Sequence, residues 1–167
     1  MNCALSKGER EFKLVAVGGT FDEFHRGHRA LLCKAFQSSE KVLIGLSTDL
    51  FASKVRKNHK IAPFAVRLEE LKSFLRKHGW LTQAEIIPLH NPYGPLLHNN
   101  VNIDAIIVSK ETEKRAREIN FERKKKNLAS LVIVVVDMVL AENYNPISTT
   151  RIRHMEIDRE GRLLTRK

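Results

Sequence analysis

Cysteine is nearly absent: Cys3 and Cys33 are the only two in 167 residues. Neither has the short spacing to further Cys or His residues that a structural metal site needs, and one pair in a chain of this size does not suggest a disulfide framework. Both are expected to be reduced thiols. Long hydrophobic runs are missing too, so no segment can cross a bilayer as a helix. The opening stretch, Met1-Asn-Cys-Ala-Leu-Ser-Lys-Gly-Glu-Arg10, is too polar for a signal peptide, and a cytoplasmic location with no membrane partner is expected. Aromatic residues make up only 7% and are not interleaved with basic ones, which removes the stacking platform of single-strand nucleic-acid binders. No Gly-x-x-x-x-Gly-Lys-Ser/Thr string occurs, so a fused P-loop kinase is not expected. Internal repeats, low-complexity tracts and linkers are likewise missing.

What is present fits one domain, residues 1–167, long enough to bury a core, with 43% hydrophobic and 29% charged residues. Acids are outnumbered by bases, 19 against 29, and the net charge of +10 calls for an anionic partner without choosing between nucleic acid and small polyphosphates. Many of the cations fall in Lys110–Lys126. There Glu111 and Arg115, Glu113 and Arg117, and Glu122 and Lys126 stand at i,i+4 spacing, the pattern of a solvated helix face.

The most informative stretch is Val15-Ala-Val-Gly-Gly-Thr-Phe-Asp-Glu-Phe-His-Arg-Gly-His28. Leu14 to Val17 reads as a buried parallel strand, ended by Gly18 and Gly19, where glycine permits positive φ and close approach to the main chain. Ala30 to Phe36 then has helical spacing. A strand, a glycine turn and a helix start make a phosphate site, because the unpaired N–H groups of the helix start face whatever lies above the turn. His25 and His28 sit there as candidate donors to phosphoryl oxygens. A bare Gly-Gly is most often only a turn. His28 also shares a helical face with Leu31, Leu32 and Ala35, as a half-buried structural histidine would.

Further strands are expected at Lys41–Ser47, Ala84–Leu89, Ile103–Val108 and Leu131–Val136. Pro88 implies that the third of the five lies at a sheet edge or that pairing stops there. Helices are expected from Thr48 through Lys54, from Phe64 to Lys77 with Val66, Leu68, Leu71, Phe74 and Leu75 as its apolar stripe, and after Ser109-Lys110. This alternation predicts an α/β fold, a Rossmann-like doubly wound five-stranded parallel sheet of order 3-2-1-4-5 with helices on both faces. In such sheets ligands bind beyond the strands' carboxyl ends where the order reverses, here between Gly18-Gly19 and Ser109-Lys110.

Near the end, Tyr144-Asn-Pro-Ile-Ser-Thr-Thr-Arg-Ile-Arg153 puts hydroxyls ahead of an expected helix. Ser148, Thr149 or Thr150 would serve as an N-cap. The same hydroxyls with Arg151 and Arg153 also suit a β,γ-pyrophosphate.

Taken whole, Gly-Gly-Thr-Phe-Asp-x-x-His-x-Gly-His resembles the signature of the nucleotidyltransferase superfamily, and Ile147-Ser-Thr-Thr-x-Ile-Arg resembles its second signature, which grips the departing pyrophosphate. With Ser47-Thr-Asp49 and Lys54, Pro63 to Arg67, Asn91-Pro-Tyr-Gly-Pro95, Ile107 to Thr112 and Ile119-Asn120, the chain most closely resembles the archaeal and eukaryotic type of phosphopantetheine adenylyltransferase. Glu23, where the bacterial branch has proline, agrees with that type.

The resemblance implies transfer of AMP from ATP to 4′-phosphopantetheine, giving dephospho-coenzyme A and pyrophosphate, with Mg2+ carried on the ATP phosphates and no protein metal ligands. It places Thr20 between the acceptor phosphate and the ATP α-phosphate, His28 on the α-phosphoryl group, His25 beside it, and Lys54 on the acceptor phosphate. Gly18, Gly19, Thr20, Phe21, His25, His28, Ser109 and Lys110 fall to the nucleotide, and Ile147, Ser148, Thr149, Thr150 and Arg151 to its tail. The bacterial branch has an arginine-containing turn where this chain has Ser109-Lys110. ATP and 4′-phosphopantetheine are the partners expected, a homo-oligomer is admissible, and nucleic acid is not expected. Rival readings are a glycerol-3-phosphate cytidylyltransferase, an FAD-forming adenylyltransferase and, more remotely, a nucleic-acid-binding module suggested by the charge.

Overall fold

The computed structural model describes residues 10–55, 60–99 and 101–164. Strands β1 (Phe12–Gly19), β2 (Ser39–Ser47), β3 (Ala84–Leu89), β4 (Ala105–Ser109) and β5 (Val132–Val136) form an all-parallel sheet in the order β3-β2-β1-β4-β5. That is the order the sequence predicts. Between the strands run α1 (Arg26–Ser38), α2 (Asp49–Val55), α3 (Phe64–Lys77) and α4 (Glu113–Lys125), and α5 (Thr149–Arg153) follows the sheet. Pro88 lies in edge strand β3, opposite Leu46 of β2.

Alternation along each strand divides the core in two. Val15, Val17, Val42, Ile44, Leu46 and Ile107 face α1 and α3, meeting Leu32, Ala35, Phe36, Leu71 and Leu75. Ala16, Leu43, Ile106 and Val108 face the other way, against Ala116 and Ile119 of α4 and Leu96 of the 3-10 turn Gly94–Leu97. With both faces covered, central strands must be apolar at every position, hence the unbroken Val15-Ala-Val17 run. Trp80 closes the first layer, its ring stacked on Phe36 at 4.6 Å.

Several expectations change. Gly18 and Gly19 belong to β1, and neither has a positive φ; the left-handed residues are Phe21 (φ 50°) and Glu23 (φ 48°). Gly19 serves close approach instead: a Cβ there would meet the Phe21 ring at 3.3 Å, whereas one on Gly18 would make ordinary contact with Leu89 at 3.5 Å. Helix α1 begins at Arg26 rather than Ala30, because His25 caps it. On α3 the buried positions are Arg67, Leu71 and Leu75, while Val66 is 49% exposed. On α4 only Glu113–Arg117 pairs as spaced; Arg115 turns to Glu118, Lys125 to Glu122 and Lys110 to Glu113. Such exposed pairs shift among neighbours at little cost. Cys33 is held in a disulfide rather than being a reduced thiol, since linear spacing does not reveal what folding brings to a side chain. Cys3 lies outside the described residues.

Candidate active site

A cavity of about 450 Å³ lies over the carboxyl ends of the strands. Gly18 to Asp22 border it from β1, Ser47 from β2, Leu89 from β3, Ser109 and Thr112 from the β4 side, and Val136 to Val139 after β5. Ile147, Ser148, Thr149 and Thr150 complete the wall. The fold therefore brings the first and second motifs to one space, at the β1/β4 crevice where the strand order reverses.

The two histidines are held by the start of α1. The Gly27 amide donates to His25 Nδ1 at 3.1 Å, and the His25 amide donates to His28 Nδ1 at 3.4 Å. An Nδ1 that accepts a backbone N–H carries no proton in the neutral ring, so each imidazole holds its proton on Nε2. The rings stack on each other at 3.8 Å, and His28 also stacks on Phe24 at 5.9 Å. Both histidines line the cavity. His28 is thus packed, as the structural reading expects, and it also lines the cavity.

The second motif is moored to the first. Ser148 is the N-cap of α5, its Oγ accepting from the Arg151 amide at 3.4 Å. Thr149 Oγ1 donates to the Asp22 carbonyl at 3.1 Å. Arg153 grips the Asp22 carboxylate through Nε at 3.0 Å and Nη2 at 2.8 Å, and Asp22 is only 1% exposed. That bidentate bond raises the Arg153 pKa above its ordinary value. Arg153 is therefore engaged with protein. So is Arg151, whose guanidinium donates to Glu156, to the Asn145 and Pro146 carbonyls and to Asn143.

The remaining candidates divide. Thr20, Phe21, Ser109 and Ile147 border the cavity, with the Ser109 turn closed by its own bonds to Thr112. Lys110 and Arg151 are not among the lining residues. Nor is Lys54, which is exposed on α2, although Phe51 of the same helix is a wall residue. Among the described lining residues Arg115 is the one Lys or Arg, so the donors facing the cavity are mostly backbone N–H groups, hydroxyls and imidazoles. No group of three or more His, Cys, Asp or Glu among the described residues could hold a metal ion.

Sequence reasoning missed two parts of this wall, Arg115 and the segment Val136-Asp-Met-Val139, and also the buried Arg67 that bonds the Thr20 carbonyl from behind it. The second was legible as the polar break just past a strand's carboxyl end. Arg67 was legible as the one cation on the Arg67, Leu71, Leu75 face of α3.

Leu89 forms part of the floor, seated over two glycines. A Cβ on Gly45 would lie 2.6 Å from a Leu89 methyl, and one on Gly94 (φ 50°) would do the same. Gly45→Ala is expected to destabilise the protein by about 1–3 kcal/mol through overpacking, read as a lower urea midpoint. A wild-type midpoint would show that Leu89 can move at no cost.

The cytidylyltransferase-like family model matches residues 16–155. The phosphopantetheine adenylyltransferase of Methanothermobacter thermautotrophicus is 44% identical over 158 residues, 95% of this chain and 93% of that protein. That of Archaeoglobus fulgidus is 38% identical over 153 residues, 90% of this chain and 99% of that protein. A solved structure from Archaeoglobus fulgidus, described as a protein with unknown function, superimposes with a TM-score of 0.66 at 33% identity, covering 74% of this chain and 88% of that one. With its two motifs on one cavity and these matches running over nearly its whole length, the chain belongs to the cytidylyltransferase-like nucleotidyltransferases and, among them, to the phosphopantetheine adenylyltransferase family.

Proposed function

We propose that the chain, acting as one domain in the cytoplasm, transfers AMP from MgATP to 4′-phosphopantetheine, giving dephospho-coenzyme A and pyrophosphate. The observation that carries this reading is the shared cavity of Thr20 and Ser148, which lets one triphosphate span both motifs. The β- and γ-phosphates lie against the hydroxyls of Ser148, Thr149 and Thr150. The α-phosphate lies at the start of α1, over Gly18, Gly19 and Phe21, where His28 Nε2–H donates to it and His25 supports it from the neighbouring ring.

An oxygen of the acceptor's phosphate attacks the α-phosphorus in line, with pyrophosphate leaving opposite, and no enzyme nucleophile intervenes. Thr20 sits between the two phosphates. Lys54, one helical turn beyond Phe51, meets the acceptor phosphate from the solvent side. Catalysis rests on positioning and on donors aimed at charge that grows in the transition state, which suits a wall of fixed N–H and O–H groups. Mg2+ would be held by the ATP phosphates, where it would offset part of their charge. Ser109 borders the nucleotide. Lys110 and Arg151 act from outside the lining, Arg151 by holding the 143–146 loop ahead of Ser148.

A pyrophosphate-release assay crossing ATP and CTP with 4′-phosphopantetheine, FMN and glycerol 3-phosphate tests the reading. Turnover is expected with ATP and 4′-phosphopantetheine alone. Preferential turnover of CTP with glycerol phosphate, or of ATP with FMN, would replace it with the corresponding rival. Tight, salt-sensitive binding to RNA or DNA with no turnover would mark a nucleic-acid module.

A further inference from the structure

Arg67 occupies a position where helix periodicity calls for a hydrophobe. It is fully buried, 0% exposed, in the first turn of α3, on the face it shares with Leu71 and Leu75. Removing a guanidinium from water costs several kcal/mol unless its donors are matched, so a cation here needs a reason that filling space does not supply. Its bonds supply one. Nη1 donates to the Thr20 carbonyl at 2.7 Å and to the Ser47 carbonyl at 2.8 Å. Nη2 donates to Asp49 Oδ1 at 2.7 Å, and Nε to the Ala62 carbonyl at 2.7 Å.

These acceptors come from three separate segments: the turn after β1, the junction of β2 with α2, and the approach to α3. Thr20 and Ser47 border the cavity directly, and Asp49 opens the helix that carries Phe51 and Lys54. One planar fork thus fixes Thr20, assigned above to the space between the two phosphates, together with the helix that carries Lys54, assigned to the acceptor's phosphate. The residues assigned to the ATP tail are moored by Asp22 with Arg153 and Thr149, a network that touches this one at Ala62, whose amide donates to Asp22 Oδ1 at 3.1 Å.

We propose that Arg67 is a positioning residue for the acceptor half of the site: it sets the Thr20 turn and the Lys54 helix relative to each other, and leaves the grip on the ATP tail to the second motif. This rests on the adenylyl-transfer reading. Lysine cannot replace the fork, because an ammonium is a point charge that cannot reach carbonyls on three segments from one plane.

The test compares wild type with Arg67→Lys, Arg67→Met and Asp49→Asn. Asp49 is well exposed, with 60% of its side chain accessible, and Asp49→Asn removes the charge facing the buried Arg67 while keeping an oxygen that can accept from Nη2. Equilibrium binding of MgATP and of 4′-phosphopantetheine is measured separately by calorimetry, alongside kcat, KM and thermal midpoint. Both Arg67 variants are expected to weaken acceptor binding and raise acceptor KM by about tenfold or more while the Kd for MgATP stays within about twofold, with Asp49→Asn showing the same split more mildly. Unchanged constants for both substrates, with activity falling only as the folded fraction falls, would overturn the role; so would equal weakening of both. Should Arg67→Met not fold, Arg67→Lys and Asp49→Asn decide the matter alone. Wild-type turnover on the same two substrates is the separate check on the reading beneath: wild-type inactivity would strike that reading, whereas an active wild type without the split strikes only Arg67.

Discussion

His28→Ala is expected to lower kcat by roughly 10²–10³, about 2.7–4 kcal/mol of transition-state stabilisation, while the Kd for MgATP moves little. The size follows from what the ring supplies. Its Nδ1 accepts from the His25 amide, which puts the neutral ring's proton on Nε2, and its orientation is fixed by the Phe24 and His25 rings before substrate arrives. A donor that needs no reorganisation acts most strongly where charge grows, so its loss falls on kcat. His28→Gln keeps a donor of similar reach but not the ring stack, and should lie between wild type and alanine. Wild-type turnover in the alanine variant would remove His28 from the chemistry and leave it as a packed side chain.

Arg153→Met is expected to be the most damaging single change to the scaffold, at about 3–5 kcal/mol, because it strands a buried carboxylate. For a chain of this length that corresponds to a thermal midpoint lower by roughly 6–20 °C. Asp22 would keep one donor, the Ala62 amide at 3.1 Å. Replacing both partners by apolar groups, as in Asp22→Leu with Arg153→Met, should recover part of the loss, since no charge is then left unpaired. Affinity for MgATP should fall in the single variant, because α5 is then tied to the β1 turn by the Thr149 bond to the Asp22 carbonyl without the Arg153 pair. A midpoint within a degree or two of wild type would show that the pair contributes little to holding the two motifs together.

The strands and most helices were legible because their apolar periods are clean: α3 begins and ends where Pro63, Phe64 and Lys77 place it, and Val15-Ala-Val17 can only be a strand covered on both sides. The alternation indicated a parallel sheet, and the order expected for it is the one found, with Pro88 in an edge strand. Less legible were features set by contacts distant in sequence. Gly18-Gly19 signalled a special backbone, but the left-handed residues are Phe21 and Glu23, and Gly19 is bare so that the Phe21 ring can approach. A guanidinium's partner is a tertiary fact, which is why Arg151 and Arg153 read as phosphate ligands while the fold commits both to protein acceptors. Five-residue α5 is too short to show a period of its own, yet Ser148-Thr-Thr150 was recognisable as a cap, and it is one.

The most direct test is a crystal structure with Mg2+ and an ATP analogue whose α,β-bridge cannot be cleaved. The expected result is one nucleotide spanning the cavity, its terminal phosphates against Ser148, Thr149 and Thr150 and its innermost phosphorus within hydrogen-bond reach of Thr20 and His28. A nucleotide seated against only one of the two motifs, with the other facing empty solvent, would contradict it.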